Sequence, residues 1–142
     1  MLQNIQHFAK SIAVSLFAIF ICFGVLDFLW LGIIADSWYQ TEMAPLLRSQ
    51  FITWPWLIFY LMYGFVVFVL AVVANRDKSL LYAGIDGALL GLASYGAYNL
   101  TAYSIIEGFT LFIMLIDWAW GTFLTSASAM AGWLGFTAAL RK

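Results

Sequence analysis

Long apolar runs alternate with short polar ones along this 142-residue chain. A helix needs about 20 mostly apolar residues to cross about 30 Å of hydrocarbon. Four stretches meet that requirement: 12–34, 54–74, 80–100, and a run from Phe109 to about Leu140, of which 109–134 is assigned as the span. The pattern predicts an all-α integral membrane protein, a four-transmembrane-helix bundle forming one domain over residues 1–142.

The polar connections refine this picture. Met1 to Ser11 reads as a surface segment, and the first span, at about 23 residues, exceeds the roughly 7 to 15 of a secretory signal core, so it is read as an uncleaved helix. The longest connection, Ala35 to Thr53, holds Asp36, Trp38, Tyr39, Glu42, Pro45 and Arg48. Its aromatic residues suit the headgroup belt, and Pro45 predicts a short interfacial helix beginning there. Pro55 falls in the first turn of span two, where no backbone donor is lost. Asn75 to Ser79 is short and polar, making spans two and three an antiparallel hairpin. Span three carries Ala83, Gly87, Gly91, Tyr95 and Asn99 at steps of four, a ridge of small residues that suits close helix contact and leads to two polar groups. Thr101 to Gly108 reads as the next connection. The fourth run is roughly 48 Å long as a straight helix, so it is expected to tilt, protrude or bend, with Thr125 to Ser128 and Gly132 as soft points.

Composition agrees with a membrane assignment: 65% of residues are hydrophobic and 9% charged, against about a quarter charged in soluble domains. The net charge of −1 and scattered cations offer no basic face, which excludes nucleic acid as a partner. Cys22 is the only cysteine, so no internal disulfide forms. The single histidine, His7, is peripheral and no span contains lysine; a haem pair, a metal site and a retinal Schiff base lack ligands, and no cofactor or metal is expected. An inside N-terminus puts Lys10, Arg76, Lys78, Arg141 and Lys142 within and Arg48 alone outside, so the positive-inside rule predicts that both termini are cytoplasmic.

Orientation converts sequence offsets into depth. Asp27 lies about seven residues before the outer end of span one and Asp117 about eight after the outer start of span four, so both sit roughly 10 to 12 Å below the outer surface. Asn99 and Tyr95 approach that level from span three, and Trp54, Trp56 and Tyr60 from span two. Asp27 and Trp30 are one turn apart and share a face. A carboxylate costs several kcal/mol near mid-bilayer and faces other helices, a partner or water. The candidate ligand-binding residues are therefore Asp27, Trp30, Arg48, Tyr95, Asn99, Asp117 and Trp120. The two acids either share an exchangeable proton or are clamped by Arg48 folding down from its connection. The plainer alternative is that they fasten helices through hydrogen bonds worth about 0.6 to 2 kcal/mol each, with the tryptophans serving as packing. Asp86 falls on the opposite side of span three, where it is expected to pair with Lys78 or Arg141, or to face a subunit contact.

Several phrases together carry a resemblance: Leu26-Asp27-Phe28-Leu29-Trp30-Leu31-Gly32, Pro45-Leu46-Leu47-Arg48, Tyr95-Gly96-Ala97-Tyr98-Asn99-Leu100-Thr101 and Asp117-Trp118-Ala119-Trp120-Gly121-Thr122. In this order they resemble the domain-of-unknown-function 2177 family of small bacterial predicted inner-membrane proteins, over nearly the whole chain. The resemblance implies a four-span protein of the bacterial inner membrane with signature positions at Asp27, Trp30, Gly32, Tyr95, Tyr98, Asn99, Thr101, Asp117, Trp120 and Gly121. Relatives often carry Asp where this chain has Asn99, and Asn where it has Ala102. Their genes often neighbour enzymes that modify unsaturated membrane fatty acids, which implies a lipid-modification or stress context.

No motif names a reaction. The leading expectation is an outward-facing, aromatic-walled pocket for an amphipathic ligand such as a membrane lipid or modified acyl chain, working alone or with a membrane partner protein. The alternatives are a small proton-coupled transporter acting as a homodimer, and a structural subunit whose acids only hold helices together.

Overall fold

A computed structural model describes residues 2–141, with side chains from residue 5 onward; Met1 and Lys142, the latter counted above among the inner cations, lie outside the described residues. The chain is all-helical. Helix α1 (Leu2–Leu29) runs into a π-helical turn, Trp30–Ile34, and a short α2 (Asp36–Glu42) follows. Helix α3 (Trp54–Val67) continues through a π turn, Phe68–Val72, and a 3-10 turn, Val73–Asn75; α4 is Leu80–Ile105 and α5 is Leu111–Leu140. Four of these stretches are long and apolar enough to cross a membrane: Ile5–Ile34, Trp54–Asn75, Leu80–Ile105 and Leu111–Leu140.

Element boundaries depart from the sequence pattern in four places. The polar N-terminal segment is helical and continuous with span one. The short helix in the long connection precedes Pro45 instead of starting at it; Pro45 lies in the turn that follows α2. Helix α4 runs on to Ile105 and stops where Ile106 turns extended (φ −106°, ψ 111°), two residues before the turn at Gly108, whose φ of 87° suits glycine. Helix α5 extends over 30 residues without interruption, so neither Thr125 to Ser128 nor Gly132 breaks it.

Helix α5 is central, packed between α1 and α4, while α3 closes the remaining side. On α1 the buried stripe is Ser11, Ser15, Ile19, Phe23 and Asp27, every fourth residue, as expected for one narrow ridge of a helix. The Ser15 hydroxyl donates to the Gly132 carbonyl at 2.8 Å, holding α1 onto α5. The α4–α5 seam is tighter still, along the predicted ridge. A methyl group on Gly91 would lie 2.7 Å from the Gly121 carbonyl oxygen, and one on Gly87 would lie 2.9 Å from that of Thr125. Backbone therefore touches backbone, the arrangement by which helices associate in lipid, where no hydrophobic gain separates protein from solvent. Ile19, Phe23, Val67, Val72, Leu124 and Phe136 fill the centre.

A second cluster, built on Ala102, Phe109, Ile113 and Met114, packs against Tyr39, Met43 and Leu46. It holds α2 across the end of the bundle that lies opposite both termini. Helix α2 thus reaches the bundle interior with one side chain, Tyr39.

Candidate functional site

Beneath α2 the helices part around a cavity of about 550 Å³. That size falls in the range of small-molecule sites, about 300–1,000 Å³. Its wall combines Asp27 and Asp117 with Tyr39, Tyr60, Tyr95 and Tyr98, and the remainder is mainly apolar. Among the described residues no lysine, arginine or histidine lines it.

The two carboxylates are held by a cross-braced set of neutral donors. Helices α1 and α5 run antiparallel, and each carries Asp-x-x-Trp: Asp27 with Trp30, and Asp117 with Trp120. Antiparallel packing brings each tryptophan level with the other helix's aspartate. The Trp120 indole donates to Asp27 Oδ1 at 2.9 Å. The Trp30 indole donates to the Tyr39 hydroxyl at 3.3 Å, and that hydroxyl donates to Asp117 Oδ1 at 2.5 Å. Between the two arms the indoles stack, centroids 4.5 Å apart and planes within 4°. The remaining oxygens are also engaged: Tyr60 donates to Asp27 Oδ2, and the Asn99 amide donates to Asp117 Oδ2 at 2.7 Å. Each carboxylate oxygen thus accepts one hydrogen bond from a group that carries no charge, which satisfies buried acceptors without adding a counter-charge.

Tyr39, on the connection outside the spans, has its hydroxyl pushed up from the usual tyrosine range by burial and by the Asp117 carboxylate beside it. Three polar groups of the site lack partners among the described residues, the hydroxyl of Tyr98 in the cavity wall being one. Asn99 is fully buried; its amide nitrogen also reaches the Tyr95 carbonyl at 3.1 Å, while its Oδ1 accepts nothing. The Tyr95 hydroxyl makes no hydrogen bond, although Tyr95 lines the cavity.

Behind Ser94, which lines the cavity, the buried Tyr63 hydroxyl meets Ser94 Oγ at 2.7 Å and Thr125 Oγ1 at 2.9 Å. Ser94 also reaches the Leu90 carbonyl, and Thr125 the Gly121 carbonyl, both at 2.7 Å. Four contacts compete for the hydrogens of three hydroxyls, so one contact goes without at any moment.

Of the residues anticipated from sequence, Asp27, Tyr95, Asp117 and Trp120 meet at the cavity, Asn99 braces Asp117, and Trp30 braces Tyr39. Arg48 does not join them: it is exposed, lines no part of the cavity and forms no ion pair with either aspartate. From the same connection α2 delivers Tyr39 instead, which bonds Asp117 alone, while Tyr60 and Trp120 hold Asp27. Among the described residues Asp86 likewise has no direct cation partner. It accepts from the fully buried Asn75 amide at 2.6 Å, and Lys78 donates to the other end of that amide at 3.1 Å. Trp118, adjacent to Asp117 in sequence, turns to α4 and donates to the Leu92 carbonyl at 2.8 Å, outside the cavity.

From sequence, Tyr39 was assigned to the headgroup belt, and Tyr60 was placed at the level of the acids without being named a site residue. A signal for them existed: acids with no basic residue at their depth need neutral donors, and these tyrosines were available on the same side of the bundle.

Fold and site together define a small α-helical protein with four helices long and apolar enough to cross a membrane and a two-carboxylate cavity between them. The chain belongs to the family described as predicted membrane protein (DUF2177), matched over residues 12–134. No curated protein and no solved structure matches it.

Proposed function

We propose that this protein binds an amphipathic ligand, a lipid or a similar small molecule, in the cavity beneath α2, in the inner membrane of a bacterium with both termini in the cytoplasm. The observation that carries the reading is the combination of a roomy, mainly apolar hollow with two carboxylates in its wall. Helix fastening alone calls for polar groups packed against one another, without open volume beside them. The orientation rests on Lys10, Arg76, Lys78 and Arg141 lying toward the end opposite Arg48; cysteine accessibility at residue 48 from the periplasm tests it.

Brominated acyl chains quench tryptophan on contact, and Trp56 and Trp120 line the cavity. Titrating the protein in a nonionic detergent with ω-bromododecanol is expected to give a saturable quenching component that Ser94→Phe, which fills the cavity, removes. Quenching that never saturates, or that Ser94→Phe leaves intact, refutes the reading.

A second reading, proton-coupled transport, draws support from the hydroxyl set of Tyr63, Ser94 and Thr125, which can reorient because its contacts outnumber its hydrogens. Substrate-dependent proton flux in proteoliposomes, abolished by Asp27→Asn with Asp117→Asn, distinguishes transport from binding alone.

A further inference from the structure

Resting on the ligand-binding reading above, we infer that the head group accepted by this cavity is a cationic amine, an ammonium or alkylated ammonium, carried on an acyl or alkyl chain. The wall holds two carboxylates and, among the described residues, no basic side chain. A carboxylate or phosphate head entering it meets repulsion at short range in a low dielectric, whereas an ammonium meets attraction from two acids. The donors already on the acids do not change the sign, because the Tyr60, Trp120, Tyr39 and Asn99 groups are all neutral.

The other components of the wall suit the same head. Trp56, Tyr60, Tyr95 and Trp120 line the cavity, and aromatic faces around a cation add attraction that a neutral or anionic head does not receive. The carboxylate oxygens have lone pairs beyond the single hydrogen bond each accepts. A head rich in N–H donors matches this surplus. The apolar remainder of the wall, including Leu31, Phe59, Phe109 and Ile113, accommodates the chain.

The test compares ω-bromododecylamine, ω-bromododecanol and ω-bromododecanoate in the quenching titration, at mildly alkaline pH where the acid is ionised. The amine is expected to bind about tenfold or more tightly than the carboxylate, with the alcohol between them, and Asp27→Asn with Asp117→Asn is expected to bring the three within about threefold of one another. The wild-type series stands on its own should the double variant fail to fold. Equal or tighter binding of the carboxylate overturns the cationic assignment while leaving the pocket intact. Absence of saturable, Ser94→Phe-sensitive binding for every head group instead removes the pocket reading. Competition of the amine by short-chain phosphatidylethanolamine, with phosphatidylglycerol inert, identifies a lipid head group as the source. Competition by neither, with the amine still preferred, identifies a free amine.

Discussion

Gly121 links the tightest helix seam to the cavity, and Gly121→Ala tests both at once. A methyl group there would lie 2.0 Å from two atoms of the Tyr95 ring, among them the atom at its root. Carbon atoms rest about 3.5–4.0 Å apart, so the ring must move by roughly 1.5 Å. It cannot recede freely, since Tyr63 meets it edge-on with centroids 6.1 Å apart. Overpacking of this kind costs about 1–3 kcal/mol, offset by up to about 1 kcal/mol of helix propensity gained from losing a glycine. The expected net loss is about 1–2 kcal/mol, together with weaker amphiphile binding as the ring is driven toward the cavity. Gly24 is the internal control: nothing lies within 4 Å of an added methyl, and Gly24→Ala is expected to stabilise by about 0.5–1 kcal/mol. Dodecyl sulfate titration in mixed micelles, followed by far-ultraviolet circular dichroism, measures both. A Gly121→Ala variant as stable as the wild type, or a destabilised Gly24→Ala, refutes the packing argument.

Tyr39→Phe removes the donor to Asp117 and is expected to cost about 1–2 kcal/mol at neutral pH by the same titration. Because the folded state raises the Tyr39 hydroxyl above its ordinary value of about 10, its contribution is complete below that value and is lost as pH climbs through the higher folded value; the variant should therefore lose stability less steeply than wild type in strong alkali. Trp118→Phe, which forfeits the bond to the Leu92 carbonyl and part of the indole packing on Gly96, is expected to cost about 0.5–1.5 kcal/mol and to leave amphiphile quenching affinity unchanged. Asp86→Ala strips the Asn75 amide of one acceptor and should destabilise by about 1–3 kcal/mol, again with normal binding; a binding defect there would mean that the two ends of the bundle are coupled.

Residues on a regular ridge were the most legible part of the site. Asp27 and Trp30 share a face because they lie one turn apart, and Tyr95 and Asn99 follow Gly87 and Gly91 because steps of four trace one side of a helix. The residues that reach in from elsewhere were obscure. Tyr39 is carried over the cavity by a π turn at Trp30–Ile34 and a short helix whose start Pro45 does not mark. Arg48, from the same connection, was the more obvious partner for an acid by charge, yet it remains exposed. Charge attraction indicates what an aspartate would accept; the path of the connecting chain determines which side chain arrives.

By itself, then, the amino-acid sequence determined the four helices long and apolar enough to cross a membrane, the α4 ridge and the shared level of Asp27 and Asp117 along the bundle. Hydrocarbon thickness and helical rise act on each segment independently of its neighbours. Only the tertiary structure decided that Trp120 reaches Asp27 across the antiparallel pair, that Tyr39 and Tyr60 take the place of a cation, and that the helices leave a cavity beside the acids. Those outcomes depend on relative rotation and separation of helices, which are set by the sum of many small contacts along their seams.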